Sequence, residues 1–165
     1  MLTLAADTSS SQGSLCLAQH AGGQIDVLGE DLWQKQNSHS ELITDRLDQL
    51  LKKTGVELSQ IDFYSVGSGP GSFTGVRVTV NFIRSLAFAS ERPALVASSL
   101  KILAQSALSL SRASSICCLV NAFKNMVYLA LYEVQDGKLV ETLAPCAQRA
   151  ARPLQQIVCG CRMAS

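Results

Sequence analysis

Charge is scarce in this sequence. Only 16% of its 165 residues are Asp, Glu, Lys or Arg, against about 25% in a typical globular domain. A surface that poor in charge implies that a partner covers part of it. The 14 basic and 13 acidic residues leave a net charge of +1, which excludes a large electrostatic footprint for nucleic acid. The balance is uneven along the chain: residues 1–92 carry 10 acids and 7 bases, residues 93–165 carry 3 acids and 7 bases. No apolar run approaches the roughly 18 residues that span a bilayer. The start, Met1 to Asp7, has neither a basic region nor a long apolar stretch, so it does not read as a signal peptide. The six cysteines (16, 117, 118, 146, 159, 161) contain no CxxC pair of a zinc site. Several lie in apolar strand-like runs, where a thiol behaves as a small hydrophobe, and the cytosol is the compartment expected.

Catalytic constellations are missing as well. The two histidines, His20 and His39, stand apart. Ile43 occupies the position four residues after His39, which excludes a two-His metal site on that helix. No Gly-x-Ser-x-Gly elbow occurs. Gly75 is followed by Val76 and Arg77 rather than Lys-Ser/Thr, so the glycine segment is not a Walker A loop, and Ser72 interrupts a dinucleotide fingerprint.

What is present is an apolar content of 47%, enough for a real core and too much for intrinsic disorder. Periodicity predicts strands over 2–6, 14–19 and about 24–33, joined by a hydroxyl-rich turn (Asp7–Gly13) and by Gly22-Gly23 as an antiparallel meander. Ser38-His39-Ser40-Glu41 reads as a capping box. It opens a helix whose Ile43, Leu47, Leu50 and Leu51 share one face, ending at Gly55. A buried-type strand over 61–66, a glycine loop, a helix over about 74–89, a strand over 94–97 and a helix capped by Ser98-Ser99 complete a βββαβαβα order. After a small-polar linker (109–115), strands over 116–121, 126–134 and 139–143 begin a second meander. Beyond Pro145 no period is visible. The expected domains are therefore 1–112, 113–145 and an unassigned tail 146–165.

Two loops are candidates for chemistry. The Asp7–Gly13 turn, with Asp7 and Thr8, either cradles a phosphate beside a cation or is a hairpin in which Asp7 makes an Asx-turn. The segment holding Gly69, Gly71, Ser72, Thr74 and Arg77 either offers helix N–H groups to an anion or is a tight strand-to-helix turn. Arg77 lies in the first helical turn, where a cation opposes the dipole by about a few tenths of a kcal/mol unless it is paired. On the helix over 74–89, Val76, Val78, Val80, Phe82, Ile83, Leu86, Ala87 and Ala89 span about 200°, wider than the ~100° stripe that one sheet covers. A neighbouring helix accounts for part of the surplus; a partner contact through Val76, Val80, Ile83 and Ala87, with Leu42 on the preceding helix, is the alternative.

Asp7-Thr8-Ser9, His39-Ser40-Glu41, Ser98-Ser99-Leu100, Asn121 to Tyr128, and above all Gly67-Ser68-Gly69-Pro70-Gly71-Ser72-Phe73-Thr74-Gly75-Val76-Arg77 closely resemble the TsaB (YeaZ) family over residues 1–143. The resemblance implies an α/β actin/Hsp70/sugar-kinase-like fold, with one βββαβαβα lobe complete and a second lobe truncated. It implies a non-catalytic scaffold subunit, with no catalytic or metal-binding residues of its own. The subunit pairs with TsaD, joined by the ATPase TsaE, in making N6-threonylcarbamoyladenosine on tRNAs that read codons starting with adenine. Contact with tRNA is then indirect, no membrane is involved, and the chain alone is expected to form a homodimer. ATP or ADP is expected only in the complex, none being bound tightly by this chain alone. Asn121 stands where the family often carries Asp, and Phe123 where it carries a basic residue. The other readings are an M22-type peptidase, an ATP-hydrolysing fragment, or a truncated paralogue that only self-associates.

Overall fold

Leu2, Leu4 and Ala6 alternate with Thr3, Ala5 and Asp7, and this two-residue period makes Leu2–Asp7 a strand, β1, with one apolar face. The same alternation in Gln12–Ala21 (β2) sets Leu15 and Leu17 opposite Ala6 and Leu4. β3, Gln24–Gln34, completes an antiparallel meander, with a bulge at Leu17/Ala18. In the computed structural model the described residues are 1–34, 39–110, 113–122 and 124–149, with the backbone alone for 39–41. The Ser38–Glu41 capping box, Phe123 and residues 150–165 of the tail lie outside the described residues.

Helix α1 (His39–Thr54) carries the chain to β4 (Phe63–Gly67), which pairs parallel with β1. Helix α2 (Phe73–Ser90) then leads to β5 (Ala94–Ala97), parallel to β4. The sheet order is β3-β2-β1-β4-β5. Both helices bury their apolar stripes on one face of this sheet. Ile43, Leu47 and Leu50 of α1 and Ile83 of α2 meet Leu4, Ala6, Leu15, Leu17, Tyr64 and Val66 in one core. A clasp holds α1 to β3: the Arg46 guanidinium donates to both oxygens of Asp31 at 2.9 and 3.1 Å and lies 4.8 Å from the centre of the Trp33 ring.

The remaining residues form a second unit with its own core. Helix α3 (Ser99–Leu110) packs Leu100 and Ala104 against Ile116, Cys118, Ala130 and Tyr132 of a three-stranded antiparallel sheet. That sheet is β6 (Ser115–Ala122), β7 (Met126–Gln135) and β8 (Lys138–Arg149), in that order.

Two expected boundaries are corrected. The units divide after Ala97, not at 112, because the apolar face of α3 meets the second sheet. A helical period shows that a face is buried but not which sheet buries it. The second meander does not stop near 145 either, since β8 continues through Pro145 to Arg149. β8 is an edge strand, where a missing N–H is tolerated, and the register shifts opposite it between Leu129 and Leu131.

Candidate functional site: the glycine loop and the outer face of the second helix

The first unit places its two candidate loops side by side and bonds them to each other. Asp7 closes an Asx-turn, its Oδ1 accepting from the Ser9 N–H at 2.6 Å. The Ser9 carbonyl in turn accepts from the Ser72 N–H at 2.6 Å. Thr8, 1% exposed, donates its hydroxyl to the Gly75 carbonyl at 2.8 Å and is hydrogen-bonded to the buried hydroxyl of Thr79. Two glycines make this approach geometrically possible. A Cβ on Gly67 would overlap the Asp7 carboxylate, and one on Gly71 would overlap the Ser9 carbonyl. Gly69 adopts φ +84°, a region in which a side chain is strained, and is followed by the cis bond to Pro70.

Three N–H groups at this helix start have acceptors within the fold. Ser72 N–H bonds Ser9, Gly75 N–H bonds the Ser72 hydroxyl at 3.3 Å, and Val76 N–H bonds the Ser72 carbonyl at 2.9 Å. A phosphate bound through the Ser72 N–H would have to displace the Ser9 carbonyl. Of the predicted loop residues, the structure brings together Asp7, Thr8, Gly71 and Ser72, together with the neighbours Ser9, Gly67 and Thr79. Thr74 is exposed at the start of α2. Among the described residues Arg77 has no ion-pair partner; its guanidinium lies 5.4 Å from the centre of the Phe73 ring. The contact that settles its position within the chain is therefore a ring face rather than a carboxylate.

The predicted contact residues on α2 require a further correction. Ile83 is 1% exposed and belongs to the sheet-facing core, so it cannot meet a partner. Val80 and Ala87 are half-buried against the same core, and Val76 and Leu42 are half-buried. The wide apolar arc is filled mainly from within the fold. The outer face carries instead Phe73, Arg77, Asn81, Arg84, Ser85 and Phe88, with the two phenylalanines 75% and 85% exposed. The helical wheel already sets Phe88 in this polar strip, which is the one signal in the sequence for an exposed aromatic. α2 contains no acidic residue, whereas the solvent side of α1 carries Asp45 and Asp48.

Sequence reasoning also missed an open groove of about 780 Å³ on the far side of α2. It is floored by Val66, Ala94 and Val96 and walled by Val80, Ala87 and Phe88. Two helices do not cover the outer half of a five-stranded sheet, and no local pattern announces that gap. Among the described residues no three His, Cys, Asp or Glu side chains gather in a metal-binding group. No described helix is long and apolar enough to cross a membrane.

A meander followed by two βα crossovers, in the order β3-β2-β1-β4-β5, defines the first lobe of an actin/Hsp70/sugar-kinase-like protein, here with its glycine loop hydrogen-bonded to the first hairpin turn. The family model of TsaD, tRNA N6-adenosine threonylcarbamoyltransferase, matches residues 34–159. The chain is 35% identical over 127 residues to the tRNA threonylcarbamoyladenosine biosynthesis protein TsaB of Haemophilus influenzae, covering 77% of this chain and 52% of that one. It is similar to the solved structure of YeaZ from Pseudomonas aeruginosa, with a TM-score of 0.79 at 30% identity, over 95% of this chain and 69% of the other. A second Pseudomonas aeruginosa structure, of a protein with similarity to the peptidase YeaZ, superposes with a TM-score of 0.80 at 31% identity over 90% of this chain and 66% of the other. The chain belongs to the TsaB (YeaZ) family. It spans about half the length of the curated relatives it matches.

Proposed function

We propose that this chain is a non-catalytic partner subunit in the synthesis of N6-threonylcarbamoyladenosine on tRNA, docking a TsaD-type subunit through the outer faces of α1 and α2. The observation that carries the reading is the pair of bonded loops. In the segment that would hold an anion, the Ser72 N–H is bonded to Ser9 and the Gly75 N–H to the Ser72 hydroxyl, which supports a role in fixing the start of α2. The face so fixed presents two exposed phenylalanines and two arginines, a composition suited to an interface. In this reading a TsaE-type ATPase joins the complex, tRNA is met through the other subunits, and ATP or ADP binds only in the assembly. Alone, the chain forms a homodimer.

The test is co-expression with the TsaD of the same genome, followed by co-purification and measurement of tRNA modification. Retention of both chains, with modification that depends on this one, is expected. Arg84→Glu on the outer face should lower retention with its melting temperature unchanged. Failure of the wild-type chains to co-purify overturns the docking reading. ATP or peptide hydrolysis by the purified chain alone, abolished by Asp7→Ala, overturns the non-catalytic one.

A further inference from the structure

Among the described strands the five-stranded sheet ends on β3 at one side and β5 at the other, and the sequence guards only the first. β3 carries Asp26, Glu30 and Asp31, and its pairing with β2 is broken by a bulge, devices that keep a further strand from adding. β5 has neither: Ala94–Ala97 is Ala-Leu-Val-Ala, uncharged and regularly paired with β4. Tyr64 N–H donates to the Pro93 carbonyl and Ser68 N–H to that of Ala97. Bonding in a parallel ladder alternates from residue to residue, so Leu95 bonds to β4 while Ala94 and Val96 direct their N–H and C=O groups outward. Beside this open edge runs the groove of about 780 Å³, with Val66, Ala94 and Val96 as its floor. Arg84 and Arg92 also line it, with Glu91 the one acid among its lining residues. Both arginines are exposed, and neither has an ion-pair partner among the described residues.

We infer that the β5 edge and this groove together receive an extended acidic peptide of a partner protein, which adds antiparallel to β5 as a sixth strand. Backbone bonds to Ala94 and Val96 supply the affinity, and side chains at alternate positions the specificity. In an antiparallel pair, two residues that exchange both bonds point their side chains to the same face of the sheet. The peptide residues opposite Val96 and Ala94 therefore lie over the apolar groove, and apolar side chains fit them. The next residue on that face comes opposite Arg92, which directly precedes Pro93 and β5, and a carboxylate fits it. Arg84 serves the other end. It lies six residues before Ser90 on α2, about 9 Å of helical rise, which is nearly three residues of strand. The crossover from β4 to β5 sets α2 antiparallel to both strands, so Arg84 is level with the far end of β5. The ligand class is thus a strand with two apolar residues at alternate positions, flanked on the same face by acids. Val96 and Arg92 lie off the outer helical face assigned above to the TsaD-type subunit, so the two contacts are independent.

The test is fluorescence anisotropy of the full chain with a labelled heptapeptide, Glu-Thr-Val-Thr-Val-Thr-Glu, and a control with lysine in place of both glutamates. Saturable binding of the acidic peptide is expected, with the control weaker by roughly tenfold or more and the preference falling as salt is added. Methylating the backbone nitrogens of the two valines removes the donors aimed at β5 and should abolish binding with the protein left unaltered. Arg92→Glu should weaken the acidic peptide several-fold with an unchanged melting curve, while retention of the TsaD-type subunit stays as in the wild type. No saturable binding at about millimolar peptide overturns the inference, and so does equal binding of the lysine control. Binding that ignores the N-methyl groups and is displaced by dodecanoate also overturns it, and makes the groove a site for apolar anions instead.

Discussion

Gly71 has its α-carbon against the Ser9 carbonyl, and any side chain there must push apart two loops that hold each other by hydrogen bonds. Gly71→Val should cost about 1–3 kcal/mol, read as a lowered urea midpoint, and should weaken partner binding as the start of α2 shifts. Arg77 contrasts with it, touching the exposed ring of Phe73 at the positive end of the helix. Losing an exposed cation–π contact and relieving the dipole are each worth roughly 0.3–1 kcal/mol and oppose one another. Arg77→Ala should therefore leave stability nearly unchanged in the same titration, whatever it does to complex formation. Cys16 lies on β2 opposite Glu30 of β3, and burial together with that carboxylate pushes its thiol above the ordinary cysteine range. A raised pKa leaves less thiolate at any given pH. In alkylation at pH 8 followed by peptide mapping, Cys16 should react well after the exposed Cys117.

At the scale of elements, α2 is the piece on which the reading turns. Its inner line, Gly75, Thr79 and Ile83, is buried, and its outer line runs from Phe73 to Phe88. Ile83→Glu should place a carboxylate in the core with no partner, costing at least about 3 kcal/mol; the soluble fraction and the melting curve should both collapse. Arg84→Glu, one residue further on, should do neither. The periodicity of α2 shows that it is a helix with a broad apolar arc. The division of that arc between sheet and solvent depends on how the helix is rotated over β1 and β4, and three-dimensional packing sets that rotation. The glycine loop was more readable, because the side-chain-free positions at 67 and 71 already imply a close approach. What they approach, the carboxylate and carbonyl of a turn some sixty residues earlier, is a long-range fact.

At the scale of the whole molecule, the described residues form two units, one with a core around Leu4, Tyr64 and Ile83 and the other with a core around Leu100, Ala130 and Tyr132. Because each described core is built from residues of its own unit, damage should stay local. Tyr132→Ala should raise hydrogen exchange throughout β6 to β8 and α3 while protection in β1, β4 and α2 stays within error of the wild type. A uniform loss of protection across both units would show instead that they fold as one.

Order and type of elements were written in the sequence, because alternation, helical period and turn residues act over a few neighbours: the meander, the two crossovers and the second sheet all follow from them. The glycine loop, with its specific run from Gly67 to Arg77, was sufficient to identify the family. The tertiary structure decided everything that depends on distant partners. It assigned α3 to the second sheet rather than the first, carried β8 past Pro145 because an edge strand needs only half its hydrogen bonds, and put Ile83 inside. It also tied the candidate anion loop to the first hairpin turn, since a backbone N–H binds whichever acceptor the fold brings nearest, and for Ser72 that acceptor is Ser9.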